Sequence, residues 1–428
     1  MKDIITVVDS YCGSGKTMWA IQHINEIRKD QRILFITPFL SECKRIKAQC
    51  ASKNFVSPDV RSGRGRKMNS LIQLIRSGKN IVSTHALFSN LDEELITELQ
   101  KKNYTLIIDE AMEILKKVNI YEDLDADKGE EKTYVDLKTL ISKDIIKVSD
   151  YGEVSWNEDA ILDKYKYIET KSKLNSLIMI DDTVLMWTFP YTIFKNDLFK
   201  EIYILTYQFD FQLQYYYFKY YNIDYFKKEV VKNGDSGKYE LVDFGKFSLD
   251  VDFRKNIKSL IEICDSEKLN AIGSHSIFLS EKTPVTALSM SWYKRNEDEL
   301  KTIQKNMINY FKNIVSSSGK ERMWTTFKDY QAKIKGDGVS SKNFIAINAR
   351  ATNDFANRKY LAYVINRYLS PSFSHFFTQQ GICLDQDKFA LSELVQWIWR
   401  SAIRNGEKIY IYIPSERMRG LLQNWLDI

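Results

Sequence analysis

Residues 5–17 read ITVVDSYCGSGKT. The short β-branched run ITVV has the character of a buried parallel strand. It gives way to SYCGSGKT and then to MWAIQHINEIRKD, where Ala20, Ile24 and Ile27 recur at helical spacing. Arg28 and Lys29 stand near the expected helix C-terminus, where cations are favoured. Strand, glycine turn, helix is the context in which a phosphate-binding loop works. Gly13 and Gly15, with Ser14 between them, let backbone N–H groups converge on phosphate oxygens with no Cβ in the way. The helix N-terminus adds unsatisfied donors and the positive end of its dipole. Lys16 would neutralise charge on the β- and γ-phosphates, and Thr17 would reach Mg2+. The full pattern GxxxxGK[ST] has glycine where this chain has Ser10, so only its second half is strict.

A phosphate loop needs a metal carboxylate and a group that activates water. Residues 105–113, TLIIDEAME, form another apolar strand that ends in Asp109-Glu110. Asp109 would hold Mg2+ at a strand C-terminus, where open α/β sheets place their ligands. Glu110 would orient and deprotonate the attacking water. Taken alone, the pair also reads as surface acids closing a strand. Three further apolar runs end in polar residues: RILFITPFLSE at Thr37-Pro38, KNIVSTHALFSNL at Thr84-His85, and EIYILTYQF at Thr206-Tyr207. Five such strands separated by helical patterns predict an α/β fold, with a parallel sheet, helices on both faces and the polar residues along one edge.

The bulk composition is that of a folded protein: 428 residues, 44% hydrophobic, 28% charged, net charge +6. The charge permits a basic groove without demanding one. The five cysteines, Cys12, Cys43, Cys50, Cys264 and Cys383, form no CxxC pair, which points to a reduced compartment without a zinc site. With no basic-then-apolar leader and no membrane-length apolar run, the expected location is the cytoplasm, without a membrane partner.

GSGKT, then TPF, THAL, DEAM and LTY at successive strand ends, resemble motifs I, Ia, Ic, II and III of superfamily 2 helicases of the DEAD/DEAH-box kind. ALSELVQWIWRSAIRNGEKIYIYIPS, residues 390–415, resembles motif VI, and residues 344–363 stand where motif V belongs. The chain most resembles helicases encoded by phages and mobile elements of Gram-positive bacteria. The resemblance implies two RecA-like domains closing on ATP and Mg2+, and a translocase or helicase activity in replication or recombination. It implies Thr206 as a coupling residue and Gln396, Arg400 and Arg404 as groups that act on the γ-phosphate. Thr37, Pro38, Thr84, His85, Arg350 and Asn353 would touch nucleic acid, with DNA expected ahead of RNA and as a single strand. Replication or recombination proteins are the expected protein partners. The sequence departs from the family in DEAM for motif II, LTY for motif III and one extra residue between the arginines of motif VI. Only nine residues precede position 10, leaving no room for an adenine-reading Q motif.

Motif VI also has a reading of its own. Gln396, Arg400 and Arg404 at i, i+4, i+8 would form one stripe on a continuous helix, either as an arginine finger or as a solvated basic face. Residues 1–215 are expected to form the first domain, with a small inserted subdomain at about 117–180 that includes a hairpin at Tyr151-Gly152. Residues 216–428 are expected to form the second, with a hairpin at Asn233-Gly234 and strands at ALSMSWY, NFIAI and KIYIYI. Three stretches stay open. FQLQYYYFKYYNIDYF, residues 211–226, is a packed element or a base-stacking surface. RSGRGRK, residues 61–67, tracks phosphates or is a solvated loop. His85 contacts nucleic acid, or else packs or caps, whereas His23 reads as a surface residue. Rival functions are a phage packaging motor with a C-terminal nuclease, for which Asp385, Asp387 and Glu393 are the available carboxylates, and a nucleotide-dependent protein-remodelling ATPase.

Overall fold

A computed structural model describes residues 5–63, 65–121, 124, 126–195, 198–247, 249–274, 286–347 and 354–427. Backbone contacts divide the chain into two units. The first comprises residues 1–9, 15–244 and 370–384, and the second comprises residues 10–14, 245–369 and 385–428.

In the first unit the strands are β1 (Ile5–Asp9), β2 (Arg32–Thr37), β3 (Ile81–Thr84), β4 (Tyr104–Asp109), β5 (Leu115–Lys117), β6 (Ile146–Val148), β7 (Val154–Trp156), β8 (Leu177–Ile180), β9 (Val184–Thr188), β10 (Phe199–Thr206), β11 (Phe226–Lys232) and β12 (Tyr239–Asp243). Seven of them form one sheet in the order β12-β11-β1-β10-β4-β2-β3. Every neighbouring pair is parallel except β11 and β12. Side chains alternate across a strand, so each strand serves two cores. Ile33, Phe35, Ile107 and Leu205 pack on one face with Trp19, Ala20, Ile21 and Ile24 of α1 (Lys16–Glu26) and with Cys43 and Ile46 of α2 (Leu40–Gln49). Leu34, Ile36, Leu106, Ile108 and Ile204 pack on the other with Leu71, Ile72 and Ile75 of α3 (Lys67–Arg76). Two covered faces explain why the strands read as unbroken apolar runs rather than alternating ones.

The hairpin at Asn233-Gly234 forms, but β11 and β12 extend this first sheet, with β12 at its edge. The expected boundary at 215 therefore falls two strands early. Residues 112–198 add a three-stranded sheet, β5-β9-β8, and the hairpin β6-β7 that turns at Tyr151-Gly152. Tyr216, Tyr217 and Phe218 of the helix Leu213–Tyr220 are buried, so that aromatic stretch packs rather than offering a surface for bases. The helix Pro371–Thr378 joins the same core: Phe376 stacks on Tyr220 with ring centroids 4.4 Å apart.

The second unit contains β13 (Ile261–Ile263), β14 (Arg322–Thr325), β15 (Tyr360–Tyr363) and β16 (Ile409–Tyr412), ordered β13-β16-β15-β14 with every pair parallel. KIYIYI contains β16 as expected. ALSMSWY does not form a strand: Met290–Arg295 is a helix whose N-cap, Ser289, accepts a hydrogen bond from the Trp292 N–H at 3.2 Å. NFIAI makes only an isolated bridge between Phe344 and Trp324. No helix among the described residues is long and apolar enough to cross a membrane.

Candidate active site

The strand register brings the polar strand ends to one edge of the first sheet. Asp9 pairs with Thr206, Leu205 with Asp109, and Thr37 with Thr84. Beyond β1 the chain turns through Gly13 and Gly15 with φ of +85° and +97°, a region that glycine enters without a Cβ penalty. Gly15 is the N-cap of α1, and Lys16 and Thr17 open that helix, so their N–H groups belong to its unsatisfied first turn. Ser14 Oγ is buried with no hydrogen-bond partner among the described residues.

Thr17 Oγ1 donates to Asp109 Oδ1 at 3.3 Å, joining the start of α1 to the end of β4. Asp109 is buried, and burial is the main reason its carboxyl is pushed up to about 7. Nearby Glu110 and Glu42 push the same way, against Lys16 and Arg45. A buried carboxylate facing other carboxylates is stabilised by a cation. Glu110 has φ +69°, a left-handed conformation that is uncommon outside glycine, and its N–H donates to the Leu205 carbonyl at 2.8 Å. The carboxylate is thus set just past the strand end and is partly exposed.

Metal-free stability should report this arrangement. Asp109 keeps its proton in the folded state up to about pH 7 but loses it near pH 4 when unfolded. Its protonation therefore favours the fold below about pH 4, and that advantage disappears as pH rises through about 7. A shift of about three units corresponds to roughly 4 kcal/mol. In EDTA without nucleotide, Asp109→Asn should raise the melting temperature near pH 8 and leave it almost unchanged near pH 4. Melting curves at the two pH values check this.

Further residues complete the edge, of which Asp9, Gln212 and Gln214 lie outside the motif positions. Asp9, 3% exposed, accepts hydrogen bonds from the Gln208 and Phe209 N–H groups at 2.8 and 3.0 Å and an ion pair from Lys227 at 3.2 Å. It pins the turn after β10 to the strand that feeds the glycine loop. Thr206 is fully buried and bonds the Gln212 side chain, which also donates to the Tyr207 carbonyl at 2.7 Å. Gln214 accepts from the Met112 N–H at 3.2 Å, tying the segment after β4 to the segment after β10. An acid ending the run VVD, and glutamines just beyond LTY, were the available signals.

The remaining expected residues are placed unequally. Thr37 is 0% exposed, so it offers no surface to a polymer, whereas Pro38 and Thr84 are partly exposed. Thr84 caps the helix His85–Phe88, and His85 Nε2 lies 2.9 Å from the Asp109 carbonyl oxygen. His23 is not a simple surface residue, since its ring stacks on Trp19 at 5.1 Å. A hollow of about 700 Å3 is lined by Pro58, Asp59, Val60, Arg61, Ser62 and Lys67. Arg350 and Asn353 lie outside the described residues.

In the second unit, the helix carrying Gln396 ends at Ile398. Ser401 turns extended, donates to the Ile398 carbonyl at 2.7 Å and caps a short 3-10 turn, Ala402–Asn405. Gln396 and Arg404 are therefore not on one helical stripe. Arg400 is 7% exposed and Arg404 is exposed.

Residues 2–141 match the family model for the type III restriction enzyme, res subunit. Residues 133–187 match the YonV middle domain, and residues 255–426 match the YonV C-terminal Rossmann-like domain. The chain is 38% identical over 437 residues to the SPbeta prophage-derived uncharacterized protein YonV of Bacillus subtilis (strain 168), covering 99% of this chain and 98% of that protein. Two solved structures are distantly similar, each 11% identical and each covering 99% of this chain. They are S. tokodaii Xpd4, with TM-score 0.44 over 94% of that chain, and the DUF1998 helicase MrfA bound to DNA and AMPPNP, with TM-score 0.35 over 48% of that chain. From its near full-length identity to YonV, and with a superfamily 2 helicase-like ATPase architecture in its N-terminal part, the chain belongs to the YonV family.

Proposed function

We propose that this protein is a nucleic-acid-stimulated ATPase that translocates along DNA in the replication or recombination of a phage or mobile element. One RecA-like domain is built on the first sheet, through β12, and a second on the four-stranded sheet. The observation that carries the reading is Thr17 meeting Asp109 at 3.3 Å on the edge where the glycine loop ends. The match of residues 2–141 to a restriction-enzyme subunit favours DNA over RNA as the polymer.

The residues present fit ATP and Mg2+. Gly13, Ser14, Gly15 and Lys16 would hold the phosphates: two left-handed glycines, a buried hydroxyl without a partner among the described residues, and a cation at the helix start. Thr17 and Asp109 would hold the metal, which supplies charge neutralisation on the phosphate oxygens. Glu110 orients the attacking water and accepts its proton. Gln396, Arg400 and Arg404 are the groups that stabilise charge developing on the γ-phosphate. Thr206, locked to Gln212, passes the nucleotide state to the polymer-binding edge. On that edge Pro38, Thr84 and His85 contact the nucleic-acid backbone, with Arg350 and Asn353 contributing from the second domain.

The carboxylates that a packaging nuclease would need are otherwise engaged. Asp385 caps the helix Gln386–Ile398, Asp387 pairs with Arg417 at 2.6 Å, and Glu393 pairs with Arg367 at 3.4 Å. Steady-state ATP hydrolysis without polymer, and with single-stranded DNA, duplex DNA and RNA, tests the proposal. Strong stimulation by at least one polymer, DNA foremost, is the expected result.

A further inference from the structure

The hairpin β11-β12 places an aromatic ring on the glycine loop. In the sheet order β12-β11-β1-β10-β4, the hairpin lies on one flank of β1, and Asp109, ending β4, lies on the other. The first residue of β12 is Tyr239. Gln22 of α1 grips its backbone twice: Gln22 Nε2 donates to the Tyr239 carbonyl at 3.1 Å, and the Tyr239 N–H donates to Gln22 Oε1 at 2.9 Å. Lys238 adds an ion pair to Glu26 of the same helix at 2.8 Å. The ring is thereby held beside the start of α1. A Cβ on Gly15 would come within 2.2 Å of Tyr239 Cε1 and 2.9 Å of Cζ, so the ring rests directly against the last glycine of the loop. Tyr239 is only partly buried.

Direction gives the ring a use. Thr17 and Asp109 mark the side of the loop where metal and terminal phosphates belong. A nucleotide held that way must run its sugar and base off the opposite flank, toward β11 and β12. There a partly exposed aromatic ring is fixed through its main chain by Gln22, with Lys232 Nζ 6.0 Å from the ring centroid. Aromatic faces bind bases by stacking with little regard to hydrogen-bonding pattern.

We propose that Tyr239 is the nucleoside-binding residue of the nucleotide site, stacking on the base and favouring purines by their larger area. The proposal rests on the nucleotide-site reading above. It assigns base binding to a hairpin about 220 residues downstream of the phosphate loop in sequence.

The test compares full-length wild type, Tyr239→Leu and Tyr239→Phe for binding of ATP, UTP and inorganic tripolyphosphate, with melting temperatures recorded for each. Tyr239→Leu should bind ATP about tenfold more weakly and lose the preference for ATP over UTP, while tripolyphosphate binds unchanged. Tyr239→Phe, which keeps the face, should match wild type. Tyr239→Leu binding ATP as tightly as wild type would overturn the proposal. So would equal losses for ATP and tripolyphosphate, which would make Tyr239 a support for the loop only. If Tyr239→Leu fails to fold, the wild-type ATP-to-UTP ratio and its retention in Tyr239→Phe decide, and a ratio near one overturns the proposal. Wild type that binds neither ATP nor tripolyphosphate would instead overturn the nucleotide-site reading itself.

Discussion

Glu110→Gln should lower ATP turnover about a hundred- to ten-thousand-fold while leaving ATP affinity within about threefold of wild type. The split follows from where Glu110 stands. Its φ of +69° turns it out of β4 immediately after Asp109, and its N–H is tied to Leu205 of the neighbouring strand. Its proposed role is to act on a water rather than to grip a phosphate. Glutamine keeps the size and the main-chain bond but cannot accept the proton. Single-turnover hydrolysis measured beside equilibrium binding separates the two effects. Matched losses in both would mean that Glu110 holds nucleotide or metal rather than activating water.

Arg404→Ala has the second large expected effect. It should bind ATP as wild type does but hydrolyse it about a thousandfold or more slowly, the range that an arginine acting on a transferring phosphoryl group supplies. Arg404 sits exposed on the 3-10 turn between Ser401 and Gly406, so truncating it removes no core packing. Arg400 is 7% exposed, so loss of activity on its truncation would mix chemistry with folding. That difference makes Arg404 the cleaner probe. An Arg404→Ala protein with normal turnover would remove the residue from the catalytic set.

The first sheet was legible because two requirements coincide there. Strands covered on both faces read as apolar runs, and ligand chemistry collects at strand C-termini, so Asp109, Thr84 and Thr206 mark that edge in the sequence itself. Pairing was less legible. The turn at Asn233-Gly234 is a local signal, but nothing near it says that Val7 will be the partner of Lys227. ALSMSWY shows the ambiguity of short apolar runs, for which length is a weak arbiter between strand and helix. Ser289 bonding the Trp292 N–H decided it for helix, a cap that the sequence contained. The stripe of Gln396, Arg400 and Arg404 assumed an unbroken helix. Ser401 offered the backbone a competing hydrogen bond and ended it. In the sequence Asp9 is no more than the close of an apolar run just before the glycine loop. Its role appears only when Gln208 and Phe209, about 200 residues later, supply the N–H groups it accepts from.

We propose that a triphosphate gripped by residues 13–17 drives work on a nucleic acid. The most direct test is the rate of ATP hydrolysis by wild type and by Lys16→Ala, each without polymer and with single-stranded DNA, duplex DNA and RNA. At least one polymer, DNA foremost, should raise the wild-type rate severalfold or more, and Lys16→Ala should be nearly inactive in every mixture. A wild-type rate that ignores all three polymers, or a Lys16→Ala rate equal to that of wild type, would contradict it.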